Sequence, residues 1–189
     1  MGESRRKCIY SYSVNSKTIF RTSFESQATA NYSLSTQYWF NDIASLCDDE
    51  SSQMIYVTGG EDSSEVIGID SMRDFAVFNL PPMLSLRAGH ESLCYKGFLY
   101  IIGGSDYGYG DSYTECERLN LSSNRWEMIG SLPEANFHMT AIAVNDSIFA
   151  FGGRTARDSI HKLSINSLTW GLLETKLPIP SSSMPCFQA

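Results

Sequence analysis

The sequence predicts an all-β fold of repeated four-stranded antiparallel sheets, on three observations. Three short apolar runs end in a glycine pair: Met54-Ile55-Tyr56-Val57-Thr58-Gly59-Gly60, Leu99-Tyr100-Ile101-Ile102-Gly103-Gly104 and Ile148-Phe149-Ala150-Phe151-Gly152-Gly153. The second glycines, Gly60, Gly104 and Gly153, lie 44 and then 49 residues apart. Between the pairs run alternating strands and polar turns, with no helical pattern anywhere. One strand and one glycine doublet at this period mark a propeller blade rather than a helical solenoid.

Each unit repeats the same order of elements. After the doublet comes a polar connection, an alternating strand, a tight turn and an aromatic that opens the next strand. The second unit reads Cys116-Glu117-Arg118-Leu119-Asn120-Leu121, then Ser122-Ser123-Asn124-Arg125, then Trp126. The third reads Ile160-His161-Lys162-Leu163-Ser164-Ile165, then Asn166-Ser167-Leu168-Thr169, then Trp170. The first has Val66-Ile67-Gly68-Ile69, a turn one residue longer, and Phe75 at the aromatic position. Leu-Pro pairs at Leu80-Pro81, Leu132-Pro133 and Leu177-Pro178 close the units, because proline stops a strand and bends the chain. A fresh strand then leads into the next doublet: Ser45-Leu46-Cys47, Ser92 to Phe98 and Ala141 to Ser147.

A sheet with two apolar faces cannot bury both alone, so such blades stack face to face. The doublets remove side chains where backbones approach closely or take positive φ. The aromatics put large apolar bodies between neighbouring sheets. The expected organisation is an arm with a partial-blade hairpin and polar linker at 1–42, then blades at about 43–80, 87–132 and 136–177, with a partial blade at 181–189. Residues 24–42 read as a polar surface loop whose Tyr38-Trp39-Phe40 tuck under the first blade or form an exposed patch. Ile9 to Phe20 reads as an outer hairpin. Three full blades and two partial ends leave open sheet faces, so self-association through them is expected.

The arrangement resembles the kelch repeat, through Arg87-Ala88-Gly89-His90, Tyr100-Ile101-Ile102-Gly103-Gly104 and Trp126. The likeness covers residues 43–174 and implies a partial kelch-type β-propeller. Asn136 stands where the third unit would carry its arginine. Relatives in that family act as substrate-recognition modules of ubiquitin-ligase adaptors or as cytoskeletal scaffolds. The resemblance therefore implies a non-catalytic protein-interaction module or scaffold that binds a partner through propeller loops, with substrate recognition in a larger assembly as one form of that role; the alternative is a propeller enzyme acting on sugars or alcohols, of oxidase or sugar isomerase type.

With 14 basic against 21 acidic residues, a net charge of −7, the chain is a poor nucleic-acid binder. Five cysteines, an odd number without CxxC spacing, indicate neither a disulfide framework nor zinc, and reduced thiols in the cytoplasm are expected. No apolar run approaches a membrane span. No catalytic constellation, metal set or cofactor motif emerges. The three histidines fall in different units; His90 reads as structural and His161 as outward-facing on its strand.

What remains is loop chemistry. Strand parity puts the loops after the doublets and the loops between blades on one face. The longest, Ser105 to Tyr113, mixes Tyr, Ser, Gly and Asp, a composition suited to recognition. The partner-binding residues expected on this face are Arg87, Tyr107, Tyr109, Asp111, Asn136, His138, Arg154 and Arg157. Arg87, Arg154 and Arg157 would serve as bidentate donors to the carboxylates of an acidic protein or peptide.

Overall fold

The computed structural model describes residues 8–13, 18–23, 29–33, 44–49, 52–61, 63–106 and 110–181. Fifteen strands are formed among them: β1 (Cys8–Ser13), β2 (Thr18–Ser23), β3 (Thr29–Ser33), β4 (Ser45–Asp49), β5 (Met54–Thr58), β6 (Val66–Asp70), β7 (Ala76–Leu80), β8 (Glu91–Tyr95), β9 (Phe98–Ile102), β10 (Cys116–Asn120), β11 (Arg125–Ile129), β12 (Thr140–Val144), β13 (Ser147–Phe151), β14 (Ile160–Ser164) and β15 (Thr169–Leu172). They make three four-stranded meanders, β4 to β7, β8 to β11 and β12 to β15, and one three-stranded sheet, β1 to β3. Every pairing is antiparallel. The first strands of the three meanders, β4, β8 and β12, stand side by side, so the sheets fan out from them.

The polar segment expected as a loop between residues 24 and 42 contains β3, which pairs with β2 from Thr18–Ser33 to Thr22–Thr29. A pairing edge offered by β2 recruits even a polar strand, because ladder hydrogen bonds do not depend on side-chain type. Tyr38-Trp39-Phe40 and residues 182–189 lie outside the described residues.

Stacking gives the middle sheet two buried faces. On β9, Leu99 and Ile101 join Cys47, Tyr56, Val66, Met83 and Leu119 in the seam between the first and second sheets. Tyr100 and Ile102 point the other way, with Leu93, Cys116, Ile129, Leu132, Met139, Ile148, Ala150 and Leu163, in the seam between the second and third. Alternation along one strand thus feeds two cores. Burying each such side chain contributes roughly 1.5–3 kcal/mol.

Trp126 and Trp170 occupy one register position, opposite Leu119 and Leu163. Each closes the outer part of a seam, and Trp126 also donates its indole N–H to the Pro81 carbonyl at 2.8 Å. In the first sheet that position, opposite Ile69, belongs to Val77 and not to Phe75. The turn there is one residue longer. Phe75 is its last residue, at φ 54°, and its ring is buried on Ile55, Val57, Ile67 and Ile69. The aromatic is present but plugs its own sheet from the turn.

Candidate functional site

The doublets take the same shape three times. Gly59, Gly103 and Gly152 have φ of 60°, 56° and 59°; Gly60, Gly104 and Gly153 have φ of 118°, 106° and 109°. A Cβ on Gly103 would sit 2.4 Å from the Asn136 carbonyl oxygen. Only glycine accepts both the dihedral and the approach.

This shape docks each doublet loop onto the segment leading into the next sheet. The amides of Gly60, Gly104 and Gly153 donate to the carbonyls of Arg87, Asn136 and Ser181 at 3.1, 2.9 and 3.0 Å. In return Arg87, Asn136 and Ser181 donate their amides to Ser63, Tyr113 and Arg157. Doublet loops and lead-in segments therefore share one face, as strand parity requires.

Two of the expected partner-binding residues are interior. The Arg87 side chain is fully buried. Its Nη1 donates to the Gly103 and Glu115 carbonyls at 2.8 and 2.9 Å, and its Nη2 lies 2.9 Å from Glu117 Oε1. Glu117 Oε2 in turn accepts the Leu84 amide at 2.7 Å. Burial pushes the Glu117 carboxyl above its ordinary range, and the Leu84 amide and the Arg87 guanidinium pull it back. Arg87 ties its doublet to its own sheet, and its remaining Nε donor is buried, out of reach of a partner at the surface. Asn136 does the same in the third unit: it is buried, Nδ2 donates to the Gly152 carbonyl at 2.6 Å, and Oδ1 accepts the Phe137 and Thr155 amides.

The register shows why an asparagine suffices there. Glu117 pairs with Ile101, and the equivalent residue opposite Ala150 is His161. Where the glutamate is absent, no buried guanidinium is needed to match it. His161 is itself buried, on the same strand face as Leu163, and not outward-facing as its sequence position suggested. Burial holds its imidazole below the ordinary range, with Glu134 Oε2 3.7 Å from Nε2. Glu117 and His161 were missed as a matched pair, although each lies two residues before an inward leucine.

His90 is also interior, with Nε2 2.7 Å from Thr58 Oγ1, and burial pulls it down to about 3. Among the described residues no group of three or more His, Cys, Asp or Glu side chains is placed to hold a metal ion. No helix of the structure is long and apolar enough to cross a membrane.

The solvent side of the face is built around His138. Its φ of 52° is rare for a residue with a side chain, and its amide donates to the Gly89 carbonyl at 2.7 Å. The ring lies against Gly89, where a Cβ would meet Cε1 at 3.0 Å, and 5.1 Å from the Phe137 ring. The exposed Arg154 sets its guanidinium 5.9 Å from the Phe137 centroid, and its amide donates to the Phe137 carbonyl at 2.8 Å. Burial, then the Arg154 charge, lower the His138 imidazole. Arg157 and Asp111 are exposed on the same set of loops. Leu84 and Leu86, each 54% exposed, add apolar surface on the lead-in segment that carries Arg87. Two leucines in a proline-led connection between strands were the signal available for them. Tyr107 and Tyr109 lie outside the described residues.

Four-stranded antiparallel sheets, stacked face to face and joined by doublet-to-lead-in hydrogen bonds, define a partial β-propeller. A solved structure titled "Structure of YjhT" superposes with a TM-score of 0.66 at 12% identity, covering 74% of this chain and 53% of that one. Residues 86–133 match the family model for the Kelch motif. Mouse (Mus musculus) Kelch-like protein 38 is 29% identical over 136 residues, 65% of this chain and 23% of that protein. Beta-scruin of Limulus polyphemus is 28% identical over 137 residues, covering 64% and 15%. Human (Homo sapiens) Kelch repeat and BTB domain-containing protein 2 is 32% identical over 72 residues, covering 38% and 12%. The chain spans less than a quarter of the length of these relatives.

Proposed function

We propose that this chain is a non-catalytic interaction module that binds a protein or peptide through the face carrying the doublet loops. The observation that carries the reading is the Phe137–His138–Arg154 cluster. A strained backbone position and an exposed, ring-stacked guanidinium are held there by main-chain hydrogen bonds to two neighbouring loops. Strain persists where the surrounding structure over-determines it, and such positions concentrate at functional sites. A guanidinium held over a ring is prepared to form two parallel hydrogen bonds with a carboxylate, with less freedom to lose on binding.

Arg154 and Arg157 supply cationic donors, and Leu84 and Leu86 supply apolar contact, so a partner segment with carboxylates beside apolar residues fits the face. Arg87 drops out of this donor set because its guanidinium is used internally. The similarity to Kelch-like protein 38 and to a protein named for Kelch repeats and a BTB domain supports a role in protein assembly.

The test compares quantitative affinity capture by the wild-type chain and by an Arg154→Glu/Arg157→Glu variant. Proteins enriched by the wild type should fall at least tenfold on the variant, with Tm unchanged. Equal capture by both would overturn the assignment of this face.

A further inference from the structure

Cys47 Sγ and Cys94 Sγ lie 3.4 Å apart across the seam between the first and second sheets. Cys47 is on β4, opposite Tyr56, and Cys94 is on β8, opposite Leu99. Two residues earlier on the same strands, Ser45 Oγ and Ser92 Oγ meet at 2.7 Å. The two inner strands therefore present side chains to each other in matched order.

The next seam shows what packing alone asks of these positions. By register, the counterpart of Cys47 is Leu93, opposite Tyr100, and the counterpart of Cys94 is Ala143, opposite Ile148. Both counterparts belong to the apolar core between the second and third sheets. Leucine and alanine fill the site there, so the packing does not call for two thiols.

We propose that Cys47 and Cys94 form an oxidisable dithiol that closes an inter-blade disulfide, with a peroxide as the oxidant. Cys94 is half-buried and Cys47 is 9% exposed, so Cys94 meets the oxidant first. Its thiolate, having given its proton to solvent, attacks one peroxide oxygen, the O–O bond breaks, and a sulfenic acid and hydroxide result. The Cys47 sulfur, losing its proton, then attacks the Cys94 sulfur and expels the sulfenic oxygen as water. Two thiols and one hydrogen peroxide give one disulfide and two waters.

The sulfurs must close from 3.4 Å to about 2.05 Å. Strands β4 and β8 belong to different sheets and share no backbone ladder, so χ1 rotation and a small sliding of sheets absorb the change without breaking strand pairing. The bond would staple the first blade to the second and cross-link residues 47 apart in sequence. Constraining an unfolded loop of that length should raise Tm by about 5–10 °C.

The experiment treats the chain with equimolar hydrogen peroxide, blocks remaining thiols and digests with trypsin without reduction. Peptide 22–73 should be joined to peptide 88–96, with two fewer titratable thiols and a raised Tm that dithiothreitol reverses. A Cys47→Leu/Cys94→Ala variant, which copies the neighbouring seam and should fold, must show no peroxide-dependent Tm shift. Sulfinic acid at Cys94 without the cross-link, a bridge to a different cysteine, or a bridge between chains would each overturn the proposal.

Discussion

Replacing Arg87 with alanine should be among the most damaging single changes in this chain. The guanidinium has no exposed surface, and its loss removes two hydrogen bonds to carbonyls and the 2.9 Å ion pair with Glu117. Glu117 has no exposed side-chain surface either, so its carboxylate would stay in the seam without a counter-charge. Breaking a buried pair from one side costs about 3–5 kcal/mol. For a chain of this size that corresponds to a fall of roughly 10 °C in Tm. Urea unfolding followed by tryptophan fluorescence reads the loss directly.

The pH dependence gives a second signature. With Arg87 gone, the Glu117 carboxyl, already raised by burial, rises further above its unfolded value. The folded variant then binds a proton that the unfolded chain does not, so its deficit should shrink as pH falls from 8 to 5. The double variant Arg87→Asn/Glu117→His imitates Asn136 and His161 and should recover at least half of the loss. A single-variant cost below about 1 kcal/mol, or simple addition of the two single losses, would refute a buried matched pair.

Two further outcomes follow from the same geometry. Gly103→Ala should cost well over 2 kcal/mol in a urea titration, because its Cβ meets the Asn136 carbonyl at 2.4 Å; Gly97→Ala, at φ 78° with nothing near its Cβ, should cost only about 1 kcal/mol, and equal losses would contradict the close approach. His90, held at about 3, is neutral in the fold and takes up its proton only on unfolding; its contribution is complete above pH 6.5 and declines by up to about 1.4 kcal/mol per pH unit as pH falls toward 3, so His90→Gln should show a shallower acid limb in a Tm-against-pH series.

Much of the blade was readable because its signals are local. A strand of alternating side chains, a glycine doublet and a proline stop each depend on a few neighbouring residues. Their recurrence at Gly60, Gly104 and Gly153 placed twelve strands in three sheets. The exceptions are places where a distant partner outweighs local pattern. Thr29–Ser33 is polar yet becomes a strand because β2 offers a ladder. Phe75 has the expected residue type, but it comes too soon after Ile69 to reach the position that Trp126 holds opposite Leu119, and with the longer turn that position falls to Val77.

The candidate site was legible as a face and not as a set of side chains. Parity alone placed the doublet loops with the lead-in segments. It could not say that Arg87 and Asn136 turn inward while Arg154 stays out over Phe137. The sequence by itself determined the repeat, the strand order and the face on which the loops gather, since these follow from periodicity and chain direction. Only the tertiary structure decided which polar groups are spent in the seams. That choice depends on matched partners 16 to 47 residues away in the chain: Asn136 with Gly152, Arg87 with Glu117 and Cys47 with Cys94.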